Sequence, residues 1–76
     1  MSLTSKAVRE LYQVERRYRP DISTFIAGLA KEPHPKISVL LDEDAQMYKA
    51  AVFTYEIHYA LHEGGWIVVL GIQLSE

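Results

Sequence analysis

Between Met47 and Leu74 the chain alternates in a way that only β-strands accommodate. Tyr55, Ile57, Tyr59 and Leu61 take turns with Glu56, His58, Ala60 and His62, the period-2 pattern of a strand with one face buried. Gly64-Gly65 follows, and paired glycines supply the positive φ that a tight hairpin needs. Trp66 to Leu74 is then almost wholly apolar, as expected of a strand paired on both sides. Met47 to Val52 reads as the strand before this hairpin. Ile37, Val39 and Leu41 alternate ahead of an acidic loop, Asp42-Glu-Asp44. The pattern predicts strands near residues 37–41, 47–52, 54–62 and 66–74 in an antiparallel meander.

The first third has the helical period instead. Ala7, Val8, Leu11, Tyr12, Val14 and Tyr18 fall near one stripe, with Thr4 or Ser5 placed to cap the first amides. Pro20 disfavours helix at Arg19 and sets the expected end of this element, so helix one is expected over 4–18. Asp21 suits the positive end of a second helix. Ile22, Phe25, Ile26, Leu29 and Ala30 keep the i, i+3, i+4 spacing, and Pro33 and Pro35 close it, giving helix two over 21–32. The expected fold is one α+β domain over residues 1–76, a helical hairpin packed on a three- to four-stranded meander. Its expected core is Val8, Leu11, Phe25, Ile26, Leu29, Ile57, Tyr59, Val68 and Leu70.

Size limits what this core can do alone. A chain of 76 residues buries only about 60% of its unfolded surface, so such domains recruit a staple. With no cysteine, disulfides and thiolate metal sites are both removed. His34, His58 and His62 are too scattered to form a metal site; His58 and His62 would stand about 13 Å apart on one strand. No cofactor is implied. No apolar run approaches the roughly 18 residues of a bilayer span, and the first residues carry no apolar signal core. A cytoplasmic protein that associates with itself or a partner is the expectation.

Charge is unevenly spread. Residues 1–20 hold Lys6, Arg9, Arg16, Arg17 and Arg19 against Glu10 and Glu15. Residues 37–76 hold only Lys49 against Asp42, Glu43, Asp44, Glu56, Glu63 and Glu76. Arg16, Arg17 and Arg19 are the best phosphate-contact candidates, although near a helix C-terminus they also complement its dipole. The net charge of -2 disfavours a dedicated nucleic-acid binder.

The layout resembles the RelE/ParE superfamily of bacterial toxins, the toxin halves of type II toxin–antitoxin pairs. Ala7 to Leu11 looks like the start of that family's first helix, and Phe25 to Pro35 like the end of its second. Tyr48 to Val52, Tyr55 to Tyr59 and Ile67 to Ile72 resemble its sheet strands. The resemblance implies an antitoxin-like partner and, in the endonuclease branch, ribosome-dependent mRNA cleavage. Three departures stand against that activity. Glu56 occupies the strand position where the nucleases carry an arginine, Asp42-Glu-Asp44 replaces a basic loop, and the closing basic and tyrosine residues are absent. The family's opening strand also looks missing, since Met1-Ser-Leu3 is very short.

Cleavage of RNA through its 2′-hydroxyl needs a base and cations for a charged phosphorane. Glu56 and His58 are the only catalytic pair the strands offer, and residues i and i+2 on a strand stand about 7 Å apart, too far for a direct bond. The sequence therefore reads as a divergent RelE/ParE-like protein acting through protein contact, with RNA and ribosome disfavoured. The alternatives are an active endoribonuclease using Arg16, Arg17, Arg19 and His58, and a small structural or adaptor domain.

Overall fold

In the computed structural model, which describes residues 1–75, two helices cover one face of a five-stranded sheet. The elements are β1 (Ser2–Leu3), α1 (Ser5–Gln13), α2 (Arg19–Leu29), β2 (Ser38–Asp42), β3 (Met47–Val52), β4 (Tyr55–His62) and β5 (Trp66–Leu74). Strand order is β1-β5-β4-β3-β2. The β2-β3-β4-β5 meander is antiparallel as the alternation implies. The fifth strand corrects the expectation of three or four. Ser2 and Leu3 are enough to pair in parallel with Val68 and Val69, so an opening strand is present.

Thr4 makes the turn from β1 into α1 and ties both to β5. Its hydroxyl accepts from the Ala7 amide at 3.0 Å, capping the helix, and donates to the Leu70 carbonyl at 3.0 Å. Its own amide donates to the Val69 carbonyl at 3.0 Å. One turn further on, the Glu10 carboxylate accepts from the Ile72 amide at 2.9 Å. The stretch of β5 that β1 is too short to pair is thus met by α1.

Both helices end earlier than the sequence reading has them, α1 at Gln13 and α2 at Leu29 rather than near residue 32. α1 stops at Gln13 rather than near Tyr18, because Val14 takes an extended conformation (φ -64°, ψ 139°) that turns its side chain into the core. Arg19 caps this end, its Nη2 donating to the carbonyls of Tyr12 at 2.8 Å and Val14 at 3.1 Å. α2 then begins at Arg19, with Pro20 in its first turn, where a missing N–H costs nothing. Proline here starts a helix more than it ends one.

The core lies between α2 and the inner face of the sheet. Ile22, Ile26 and Leu29 from α2 meet Tyr48 and Ala50 of β3, Tyr55, Ile57 and Tyr59 of β4, and Ile67, Val69 and Ile72 of β5. Tyr59 stacks on Tyr48 with ring centroids 5.5 Å apart and donates to the Pro33 carbonyl at 3.0 Å, holding the segment after α2 against the sheet. Burial pushes the Tyr59 hydroxyl above its ordinary pKa, with the neighbouring Tyr48 adding to the effect. It stays a donor.

Five expected core positions are corrected by this geometry. Val8 is exposed, and Leu11 and Phe25 are half-buried and pack against the core from its rim, Phe25 at the groove it shares with Pro35. Val68 and Leu70 belong to the opposite face from Ile67 and Val69. The ladder shifts register there: Tyr59 pairs with Val69 but His58 with Gly71, leaving Leu70 as an extra residue. A β-bulge of this kind cannot be read from an unbroken apolar run. Turn chemistry also holds a surprise at Phe53, whose φ of 57° is unusual for a bulky residue. Its ring packs on Tyr18 at 4.6 Å, which offsets the strain of the two-residue β3–β4 turn.

Thr4→Ala removes the cap and strands the Leu70 carbonyl, and should cost about 1–2 kcal/mol in denaturant unfolding, with Thr4→Ser close to wild type. Leu29→Ala, at a fully buried position, should cost about 2–5 kcal/mol.

Candidate functional site

Alternation puts Glu56 and His58 on the face of β4 turned away from the helices, opposite Tyr55, Ile57 and Tyr59. Lys49 of β3 faces His58 across the ladder, and Gln73 of β5 faces Glu56. Here the structure overturns the expectation that Glu56 and His58 are too far apart. Both side chains lean along the strand, and His58 Nε2 lies 3.3 Å from Glu56 Oε1. The backbone spacing of about 7 Å was a poor guide because two long side chains close it.

The remaining contacts fix the roles. Ser75 donates its hydroxyl to Glu56 Oε2 at 3.1 Å, and its amide donates to the Thr54 carbonyl at 2.7 Å. Gln73 Nε2 stands 3.2 Å from His58 Nε2. One ring nitrogen cannot donate to Glu56 and accept from Gln73 at once. Donation to a carboxylate is charge-assisted and the stronger of the two. His58 therefore gives Nε2–H to Glu56, and Gln73 turns its amide oxygen toward the ring. The Ser75 hydroxyl holds Glu56 below the usual carboxylate range, with Lys49 and His58 adding to the effect against the opposing influence of burial. The group is a carboxylate at neutral pH.

This order of groups differs from a nucleophile–base relay. In such a relay the imidazole stands between hydroxyl and carboxylate. Here the carboxylate stands between hydroxyl and imidazole, so among the described residues His58 bonds to no nucleophile. A shallow depression beside the pair is lined by Lys6, Met47, His58, Leu70, Gly71 and Gln73. Lys6, the cation in this lining, is engaged with Glu10 at 3.4 Å. A side chain in place of Gly71 would crowd both, since its Cβ would lie 3.0 Å from Glu10 Oε1 and 3.1 Å from Lys6 Nζ.

The candidate arginines lie elsewhere. All three sit in or beside the α1–α2 turn, whose Glu15 amide donates to the hydroxyl of inward-facing Tyr55 at 3.1 Å. Arg19 is spent on the α1 cap, and its buried Nε has no partner among the described residues. Arg17 pairs with Glu15 at 3.0 Å and lies over the Tyr18 ring at 4.7 Å. Arg16 is exposed. None of them shares a face with Glu56 and His58. No cluster of three or more metal-ligating side chains occurs among the described residues; His34 packs edge-on against Tyr48 at 5.0 Å. No described helix is long and apolar enough to cross a membrane.

Reading the sequence missed Lys49, Gln73 and Ser75. Lys49 is recoverable from alternation once β3 and β4 are in register. Gln73 and Ser75 depend on the bulge at Leu70, which carries no sequence signal. Replacing Ser75 with Ala should move the Glu56 carboxyl titration upward when followed by carboxyl carbon NMR. A lowered carboxylate pKa stabilises the fold above the range in which an unfolded glutamate titrates, and that contribution is lost as pH falls through the folded value. The variant should therefore lose less stability than wild type on acidification through that range.

No protein-family model matches the sequence, and no curated protein sequence matches it significantly. Solved structures do. The toxin–antitoxin complex RelBE2 of Mycobacterium tuberculosis contains a chain 25% identical, with a TM-score of 0.77 over 95% of this chain and 91% of that one. The RelE–RelB complex of Pyrococcus horikoshii gives 19% identity and a TM-score of 0.80, over 96% and 90% of the two chains. Isolated RelE toxin of Escherichia coli gives 14% identity and a TM-score of 0.82, over 99% and 82%. With two helices on one face of a five-stranded mixed sheet, this chain has a RelE-like toxin fold.

Proposed function

We propose that this chain is a divergent RelE-like protein that works by binding protein, with an antitoxin-type partner, and that it cleaves no mRNA. The observation that carries this reading is Glu56. An ionised carboxylate, held by Ser75 and His58, stands in the middle of the polar sheet face. Phosphoryl chemistry needs the opposite sign where charge develops on the phosphorane. Lys49 beside it is at most balanced by Glu56, and the basic turn at Arg16 and Arg17 belongs to another part of the molecule.

The partner class is supported by the solved structures, since those from M. tuberculosis and P. horikoshii are complexes of the toxin fold with its antitoxin. Exposed Tyr12, Phe53 and Leu74 offer apolar surface for such a contact. Self-association is the second protein contact under this reading. The cysteine-free sequence fits a reducing cytoplasm.

Toeprinting on translating ribosomes tests the first half of the proposal. The isolated chain should leave A-site codons intact and its expression should not arrest growth through mRNA loss. Cleavage that disappears in His58→Ala would overturn it. For the second half, the product of a small reading frame adjoining this one should copurify with the chain. It should also raise its unfolding free energy by about 2.7 kcal/mol at a hundredfold excess over Kd.

A further inference from the structure

The sheet has one edge closed and one open. On the β5 side, β1, Thr4 and Glu10 satisfy the backbone. On the other side β2 pairs only with β3. Ile37, Val39, Leu40 and Leu41 along that edge are 51%, 52%, 48% and 45% exposed. Proteins usually guard such an edge with lysine, proline, a bulge or a covering loop. Here the charges stand at and beyond the ends of the strand, at Lys36 and from Asp42 onward, and the register shift at Leu41 affects one end only.

The charges flanking the edge are matched to each other. From Lys36 to Asp44 the segment is basic at its start, apolar through Ile37, Val39, Leu40 and Leu41, and acidic at its end. Turn a second copy antiparallel about an axis at Leu40, the midpoint of β2. Ser38 then faces Asp42 of the second copy, Val39 faces Leu41, and Leu40 faces itself. Lys36 comes to the acidic turn at Asp44. Apolar groups meet apolar groups and the cation meets carboxylates, all favourable cross-strand pairs. A parallel arrangement would instead set lysine beside lysine and acid beside acid.

We propose that a second copy of this chain occupies the β2 edge, antiparallel, about a two-fold axis at Leu40. The two sheets become one continuous sheet through this strand pair, an isologous contact of the kind that closes as a dimer. A contact built on a five-residue strand is small beside the roughly 1,200 Å² of a stable interface, so the dimer is reversible. This assignment does not rest on the antitoxin reading, and either stands without the other.

Because the sequence has no cysteine, an introduced one reports its neighbour without interference. In Leu40→Cys the symmetry mates should have Cα atoms about 4.5–5.5 Å apart, within disulfide reach. Under mild oxidation this variant should form a covalent dimer at least about tenfold faster than Leu74→Cys, placed at a more exposed position away from the axis. Both sites are exposed, so folding is not at stake. By light scattering, wild type should pass from monomer toward dimer between about 1 and 100 μM. Lys36→Glu and Asp44→Lys should each raise the midpoint by about tenfold, since two-fold symmetry counts each change twice, and together they should restore it to within about threefold. A monomer throughout this range overturns the proposal. So does a dimer indifferent to both charge changes, or one in which Leu40→Cys cross-links no faster than Leu74→Cys.

Discussion

Everything in this small fold depends on how the first ten residues hold the last ten. Thr4 caps α1 with the same hydroxyl that reaches the Leu70 carbonyl, so helix formation and docking on β5 happen through one side chain. Glu10 continues the hold at the Ile72 amide. These contacts join residues more than sixty positions apart, and closing so long a loop costs entropy before any contact repays it. The return is a sheet edge whose N–H and C=O groups have partners. Without it, β5 would be a second open edge, and α1 would be anchored through its buried Ala7, its half-buried Leu11 and the flanking Val14 alone.

With that side closed, the asymmetry of the molecule follows. The inner face of the sheet is dry, covered by α2 and stapled by Tyr59 to Pro33. The outer face is polar and solvent-facing, with Glu56, His58, Gln73 and Ser75 in contact with one another and Lys49 across the ladder from His58. Those groups satisfy one another instead of awaiting a substrate. A carboxylate already bonded by a hydroxyl and an imidazole makes a poor place to develop negative charge, and a good place to hold the C-terminal end of the chain. The far edge, β2, is where the molecule has surface to offer.

Side-chain alternation also explains why charge placement matters more than charge count. Two of the arginines that make residues 1–20 basic are engaged locally, Arg19 by the α1 carbonyls and Arg17 by Glu15 and Tyr18, while Arg16 stays exposed. A basic segment in sequence is therefore a smaller basic surface in space. Lys49, a single residue in an acidic half, contributes more to the sheet face than the whole arginine cluster does.

Periodicity and turn chemistry alone determined the two helices, the β2–β5 meander, the inward tyrosines of β4 and the placement of Glu56 and His58 on the outer face, since these follow from local spacing of 3.6 or 2. Tertiary structure decided the rest. Whether Pro20 ends α1 or begins α2 turned on Val14 entering the core, and on Arg19 capping the helix it left. Ser2 and Leu3 became a strand only because Val68 and Val69 lay open beside them. The bulge at Leu70 exchanged Val68 for Val69 in the core and brought Gln73 and Ser75 to the Glu56–His58 pair. Nothing in an apolar run marks such an insertion, because register is a property of two strands and neither one carries it.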